Sequence, residues 1–179
     1  MKTHIVLGVT GSIAAYKAAE LVRLMKAKDW DISVVMTRAA TQFVGELTFR
    51  TLSQNRVAVE MFGGADGWLP EHISLADRAD VLLIAPCTAN VLAKLAHGIA
   101  DDLLSCTVLA STAPLVIAPA MNEKMWDHPA TRANVATLKS RGAHIVEVAT
   151  GDLACGYTGR GRMAAPEDII STVESCLSE

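Results

Sequence analysis

Short β-branched runs alternate with helically spaced stretches along this sequence, and that alternation constrains the fold more than any single residue does. HIVLGV (4–9), DISVVM (31–36), DVLLIAP (80–86), PLVIAP (114–119) and HIVEVA (144–149) read as strands, with RVAVE (56–60) as a lesser one. SIAAYKAAELVRLMKAK, with Ile13, Lys17, Leu21 and Leu24 at helical spacing, follows the first run. TRAATQFVGELTFRTLS supplies helical material after the second. TANVLAKLAHGIADDLLSCTVLAS reads as one or two helices around Gly98, PATRANVATLKSRG as a helix ending on Gly142, and PEDIISTVESCL as a last helix with Pro166 in its first turn. Strands that are apolar throughout need cover on both faces. The pattern therefore predicts an α/β three-layer sandwich, a parallel sheet with helices on either side. With 179 residues and no repeat or linker, a single domain over 1–179 is expected.

One segment breaks the rhythm. ATGDLACGYTGRGRMAAP carries glycines at 151, 156, 159 and 161, and is predicted to be an irregular functional flap. Composition narrows the function classes. A net charge of -3 argues against a nucleic-acid binder held by phosphate contacts. No apolar run is long enough to cross a bilayer, and MKTHIVLGVTG is too short and too glycine-punctuated for a signal peptide, so a cytoplasmic protein is expected. Cys87, Cys106, Cys155 and Cys176 lack CxxC pairing, so neither a metal site nor a disulfide framework is expected. The high apolar fraction with few charges suggests a surface partly covered by other subunits.

In open α/β sheets, ligands lie beyond the carboxyl ends of the strands. The segments there are TGSIAAYK, TRAATQF, CTAN, AMNEKMW and GDLACGYTGRGRM. Gly8-x-x-Gly11-Ser12 opens a helix, where backbone N–H groups favour a phosphate; it equally suits a tight turn with Ser12 as N-cap. It is not the G-x-G-x-x-G fingerprint. The second strand ends on Thr37 and Arg38 where an NAD enzyme places an acid, and Arg38 suits a 2′-phosphate. Thr88 either caps the next helix or faces a ligand. These loops suit FMN, and other phosphorylated ligands ask for much the same.

Taken together, TGSIAAYK, APCTAN, PAMNEKMW and LACGYTGRGRM, in this order and spacing, resemble the homo-oligomeric flavin-containing cysteine decarboxylases. The similarity is greatest to the branch acting on phosphopantothenoylcysteine in coenzyme A biosynthesis. The resemblance implies a Rossmann-like, flavodoxin-like fold, with FMN held between subunits of a trimer or a dodecamer built of trimers. It implies FMN contacts at Gly11, Ser12, Ile13, Thr37, Thr88, Ala89, Asn90 and Ala120. It implies His72 as the active-site base, Asn122 as the holder of the substrate carboxylate and Cys155 as the proton donor. Ala154 and Met163 fall where the flap closes over substrate. Ser74, Asp77, Arg78 and Cys87 depart from the family pattern. Many relatives carry a fused ligase domain, so a free-standing decarboxylase or an excised domain is expected.

The implied chemistry is redox-neutral. Oxidising the thiol gives an electron sink beside the carboxylate-bearing carbon, CO2 leaves, and the enethiolate is reduced again. Imidazole suits a base near neutral pH. An amide at 122 holds a carboxylate without adding a charge that would hinder its loss. A cysteine in a glycine-rich flap is better placed for reaction than one in an apolar run, as Cys106 and Cys176 are. Two other readings remain open: a peptidyl-cysteine decarboxylase, which releases an enethiol, and an FMN-binding regulatory subunit of a protein phosphatase.

Overall fold

The computed structural model describes residues 2–62, 70–152, 156 and 158–178. Among them, six parallel strands form one sheet: β1 (His4–Val9), β2 (Asp31–Met36), β3 (Val57–Ala58), β4 (Val81–Cys87), β5 (Leu115–Pro119) and β6 (His144–Ile145). Their order is β3-β2-β1-β4-β5-β6. The expected parallel α/β sandwich is what the chain forms, with the strand order of the doubly wound dinucleotide-binding fold.

Strand side chains alternate cleanly between the two faces. Ile5, Leu7 and Val9 of β1 join Val81 and Leu83 of β4 in one core. The helices α1 (Ala15–Ala27), α2 (Glu46–Ser53) and α8 (Pro166–Leu177) close that core with Leu21, Val22, Phe49, Ile169 and Val173. Val6, Val35, Leu82, Ile84 and Ile117 face the other way. They are covered by α3 (Glu71–Arg78), α4 (Ala89–His97), α5 (Leu103–Ala110), α6 (Glu123–Trp126) and α7 (Pro129–Ser140). The stretch around Gly98 makes two helices, α5 starting from a reciprocal cap between Asp102 and Ser105.

Two elements differ from expectation. HIVEVA pairs with the sheet only over His144–Ile145. Part of the segment predicted to be irregular instead forms an antiparallel pair, β7 (Ala149–Asp152) and β8 (Thr158–Arg162). In β8 the buried positions are Gly159 and Gly161, so the strand alternates without any apolar side chain to reveal it.

At the amino edge of the sheet, the buried His4 ring sits between Asp31 and Ser33. Nδ1 lies 2.9 Å from Asp31 Oδ2, and Nε2 lies 3.1 Å from Ser33 Oγ. A carboxylate only accepts, so Nδ1–H donates to Asp31 and Nε2 accepts from the serine hydroxyl. Arg78, one of the departures from the family pattern, stands 3.7 Å from the same carboxylate and so belongs to this cluster. Burial, and then the Arg78 charge, hold the His4 pKa below 6.5, although Asp31 opposes them. The folded chain therefore disfavours protonated His4. Its contribution to stability is whole above pH 6.5 and is lost as pH falls from there through the lowered folded-state value. The melting temperature is expected to fall as pH drops below 6.5, and thermal melts of a His4→Asn variant should show a shallower fall over the same range.

Candidate active site

The strand order reverses between β1 and β4, and their two carboxyl-terminal turns face each other across that crevice. One buried hydroxyl joins them. Thr10 Oγ1 donates to the Pro86 carbonyl at 2.7 Å and accepts from Thr88 N–H at 3.0 Å. A second joint links β1 to β2: a Cβ on Gly11 would collide with the Ala39 methyl, so only glycine lets these turns meet. Ser12 does not cap α1. It stands two residues ahead of the N-cap Ala14 and accepts Ala14 N–H at 3.2 Å, leaving α1 without a side-chain cap. Thr88 does cap α4, accepting Val91 N–H at 3.3 Å.

Asn122 closes the rim from β5. Its Oδ1 accepts Lys124 N–H at 2.9 Å as the N-cap of α6, which fixes the amide so that Nδ2 is its opposite end. Trp126 is fully buried behind this turn with Arg132 over its ring. The β7–β8 pair is fastened to the same turn. Met121 N–H donates to the Gly161 carbonyl at 2.9 Å, and Glu123 Oε1 accepts Arg160 N–H at 3.1 Å. Gly161 takes φ +121°, and a Cβ there would strike the Met121 carbonyl oxygen.

Two cavities share this rim. The first, about 420 Å³, is lined by Gly11, Ser12, Ile13, Thr88, Ala89, Ala120, Asn122 and Met163 from the sequence-predicted set. It also includes Tyr16, Lys17, Met121, Met125 and Arg162. The second, about 730 Å³, is lined by Gly11, Thr37, Thr88, Ala89 and Asn90, and by Arg38, Glu60, Phe62, Lys94 and Asp102. His72 is half-buried in the first turn of α3 and lines neither cavity. Ala154 and Cys155 lie outside the described residues, in the chain between β7 and β8.

The electrostatics separate the two cavities. In the second, charges are already matched. Arg38 is held in a fork by Glu60, with both bonds at 2.7 Å, which removes it as a ready phosphate ligand. Lys94 bridges Asp101 at 2.7 Å and Asp102 at 2.8 Å, and these bonds hold its pKa up against burial. In the first, Lys17 is held below the ordinary lysine value by burial and then by the Arg162 charge. Cys87 is fully buried at the end of β4, and burial pushes its thiol far up, so this departure is a packing feature and not a nucleophile.

Sequence reasoning missed three residues that hold the site together. Thr10 looks like any polar residue after a strand. Lys94 carried a usable signal, a lysine ahead of the pair Asp101–Asp102. Glu123 gives none, because its partner is a backbone N–H remote in sequence.

A family model described as Flavoprotein matches residues 1–178. The Coenzyme A biosynthesis bifunctional protein CoaBC of Bacillus subtilis is 44% identical over 176 residues, which cover 98% of this chain and 43% of that protein. The chain thus spans less than half the length of this curated relative. A PPC decarboxylase mutant complexed with pantothenoylaminoethenethiol superposes with a TM-score of 0.89 at 33% identity, covering 100% of both chains. The FMN-dependent cysteine decarboxylase SpaF superposes with a TM-score of 0.84 at 34% identity, covering 98% of this chain and 95% of the other.

Replacing Thr10 by valine keeps the shape but strands the Thr88 N–H and the Pro86 carbonyl in the interior. Denaturant unfolding is expected to show a loss on the order of 2–4 kcal/mol.

Proposed function

The chain belongs to the flavoprotein family, and on that premise we propose that it decarboxylates 4′-phosphopantothenoylcysteine to 4′-phosphopantetheine in coenzyme A biosynthesis, with FMN as cofactor. The observation that carries this reading is the first cavity. It unites the Gly11–Ser12–Ile13 turn, the Thr88–Ala89 turn and the Asn122 amide at one rim of the sheet. The residues present fit FMN. Gly11 allows the close turn, Ser12 adds a hydroxyl beside an α1 start that no side chain caps, and Thr37 and Asn90 extend the polar edge into the second cavity. FMN supplies the acceptance and return of a hydride.

The chain's own residues do the rest. Asn122 Nδ2 donates to the substrate carboxylate; being neutral, it holds that group without strongly opposing its departure. Met121, Met125 and Met163 wall the cavity with apolar surface. His72 takes up the substrate proton in this reading. Since it lines neither cavity of its own chain, it would serve the cavity of a neighbouring copy, in a trimer or a dodecamer of trimers with FMN at the subunit interface. The exposure of Ile13 (58%), Tyr16 (61%), Met125 (49%) and Phe62 (86%) around the two cavities supports such cover. Cys155 returns a proton to the enethiolate carbon. The β7–β8 pair that brackets it is fastened to the Asn122 turn, which favours this role. The reaction belongs in the cytoplasm, where the thiols of Cys87, Cys106 and Cys176 stay reduced.

The test is incubation of the flavin-loaded protein with 4′-phosphopantothenoylcysteine and mass spectrometry of the product. The expected product has lost CO2 and nothing else, and a Cys155→Ser variant should release the species lighter by two further hydrogens. Release of that lighter species by the unaltered protein would instead mark a peptidyl-cysteine type of decarboxylase. Flavin binding without turnover would mark a regulatory subunit.

A further inference from the structure

The first cavity has an unbalanced charge. Lys17 and Arg162 both line it, and among the described residues no aspartate or glutamate does. Neither cation has an ion-pair partner among the described residues. Contrast the second cavity, where Arg38 and Lys94 are both taken by carboxylates. The two free cations come from different elements. Lys17 projects from the first turn of α1, while Arg162 ends β8 and lies across Gly151, where a methyl group would come within 2.5 Å of its Nη1. Burial first, and then the nearby Arg162 charge, depress the Lys17 ammonium, and Glu20 on α1 offsets them only in part. Two like charges held together in a mostly apolar cavity cost free energy that an anionic ligand would recover.

The ligand of the proposed reaction carries two anionic groups. The carboxylate must leave as CO2, and a cation beside it would oppose that departure. The remaining candidate is the phosphomonoester at the far end of the pantothenoyl arm. We propose that Lys17 and Arg162 together form the subsite that binds the substrate's phosphate. This inference rests on the decarboxylase reading and adds to it the residues that select a phosphorylated cysteine substrate. The planar Arg162 fork suits two phosphate oxygens, and Lys17 supplies a point charge from the other side.

The experiment compares 4′-phosphopantothenoylcysteine with its dephosphorylated counterpart, on flavin-loaded protein and on Lys17→Met, Arg162→Met and Lys17→Arg variants. The unaltered protein should favour the phosphorylated substrate in kcat/KM. Each methionine variant should lose that preference by roughly ten- to a hundredfold. The loss should appear in KM, with the flavin-to-protein absorbance ratio unchanged, and Lys17→Arg should restore most of it. An undiminished preference in the methionine variants overturns the subsite. So does loss of flavin with the preference intact, which would assign the pair to the cofactor's phosphate. Equal turnover of both substrates by the unaltered protein leaves the decarboxylase reading standing and removes the subsite alone. Turnover of neither removes both.

Discussion

The Thr10 hydroxyl is one atom with two obligations, and the rim of this protein is arranged around it. It donates to the carbonyl of Pro86 and accepts from the N–H of Thr88, in a position with no access to water. Pro86 lies near the end of β4 and Thr88 in the turn just after it, while Thr10 directly follows β1. These strands are neighbours at the point where the winding of the sheet reverses. A parallel sheet opens a crevice at such a point, and its two walls are otherwise free to splay. The bridge fixes the spacing between them. Gly11 then fixes the next spacing by letting the turn after β1 rest on Ala39. The third wall, from β5, is set from outside the sheet, where Met121 and Glu123 hold β8. Each of these cavity-lining turns is therefore held by a contact to a neighbouring element.

That arrangement permits a division of charge. Where the second cavity carries ions, they are already paired: Arg38 with Glu60, and Lys94 with Asp101 and Asp102. The first cavity instead presents a neutral amide, three methionines and two cations, with no aspartate or glutamate among its described lining residues. The proposed decarboxylation needs this kind of separation. The departing carboxylate must be located by something that does not bind it much more tightly than the transition state, while the rest of the ligand can be gripped firmly. The oriented Asn122 amide suits the first task.

Much of this was legible in the sequence, for a definite reason. β1 and β2 run over the residues that the apolar pattern marks, because strands buried on both faces have little choice of side chain. The rim turns were legible for a related reason: position after a strand is a topological property, and Gly, Ser, Thr and Asn cluster there. What stayed hidden depends on contacts distant in sequence. β8 fills its inward positions with Gly159 and Gly161 and so shows no apolar alternation. Arg38 looked available until the fold brought Glu60 to it. Ser12 looked like a helix cap, but the chain takes a further turn before α1 begins. The distance of His72 from both cavities of its own chain is likewise a property of the folded state.

In the proposed function one crevice, at the reversal between β1 and β4, holds the flavin. A crystal structure of the protein with FMN bound tests it most directly. The phosphate is expected at the Gly11–Ser12–Ile13 turn, with the ring against Thr88, Ala89, Asn90 and Ala120. Density for the flavin at the opposite edge of the sheet, in the groove of about 520 Å³ lined by Leu95, Ile99, Leu138 and Arg141, would contradict it.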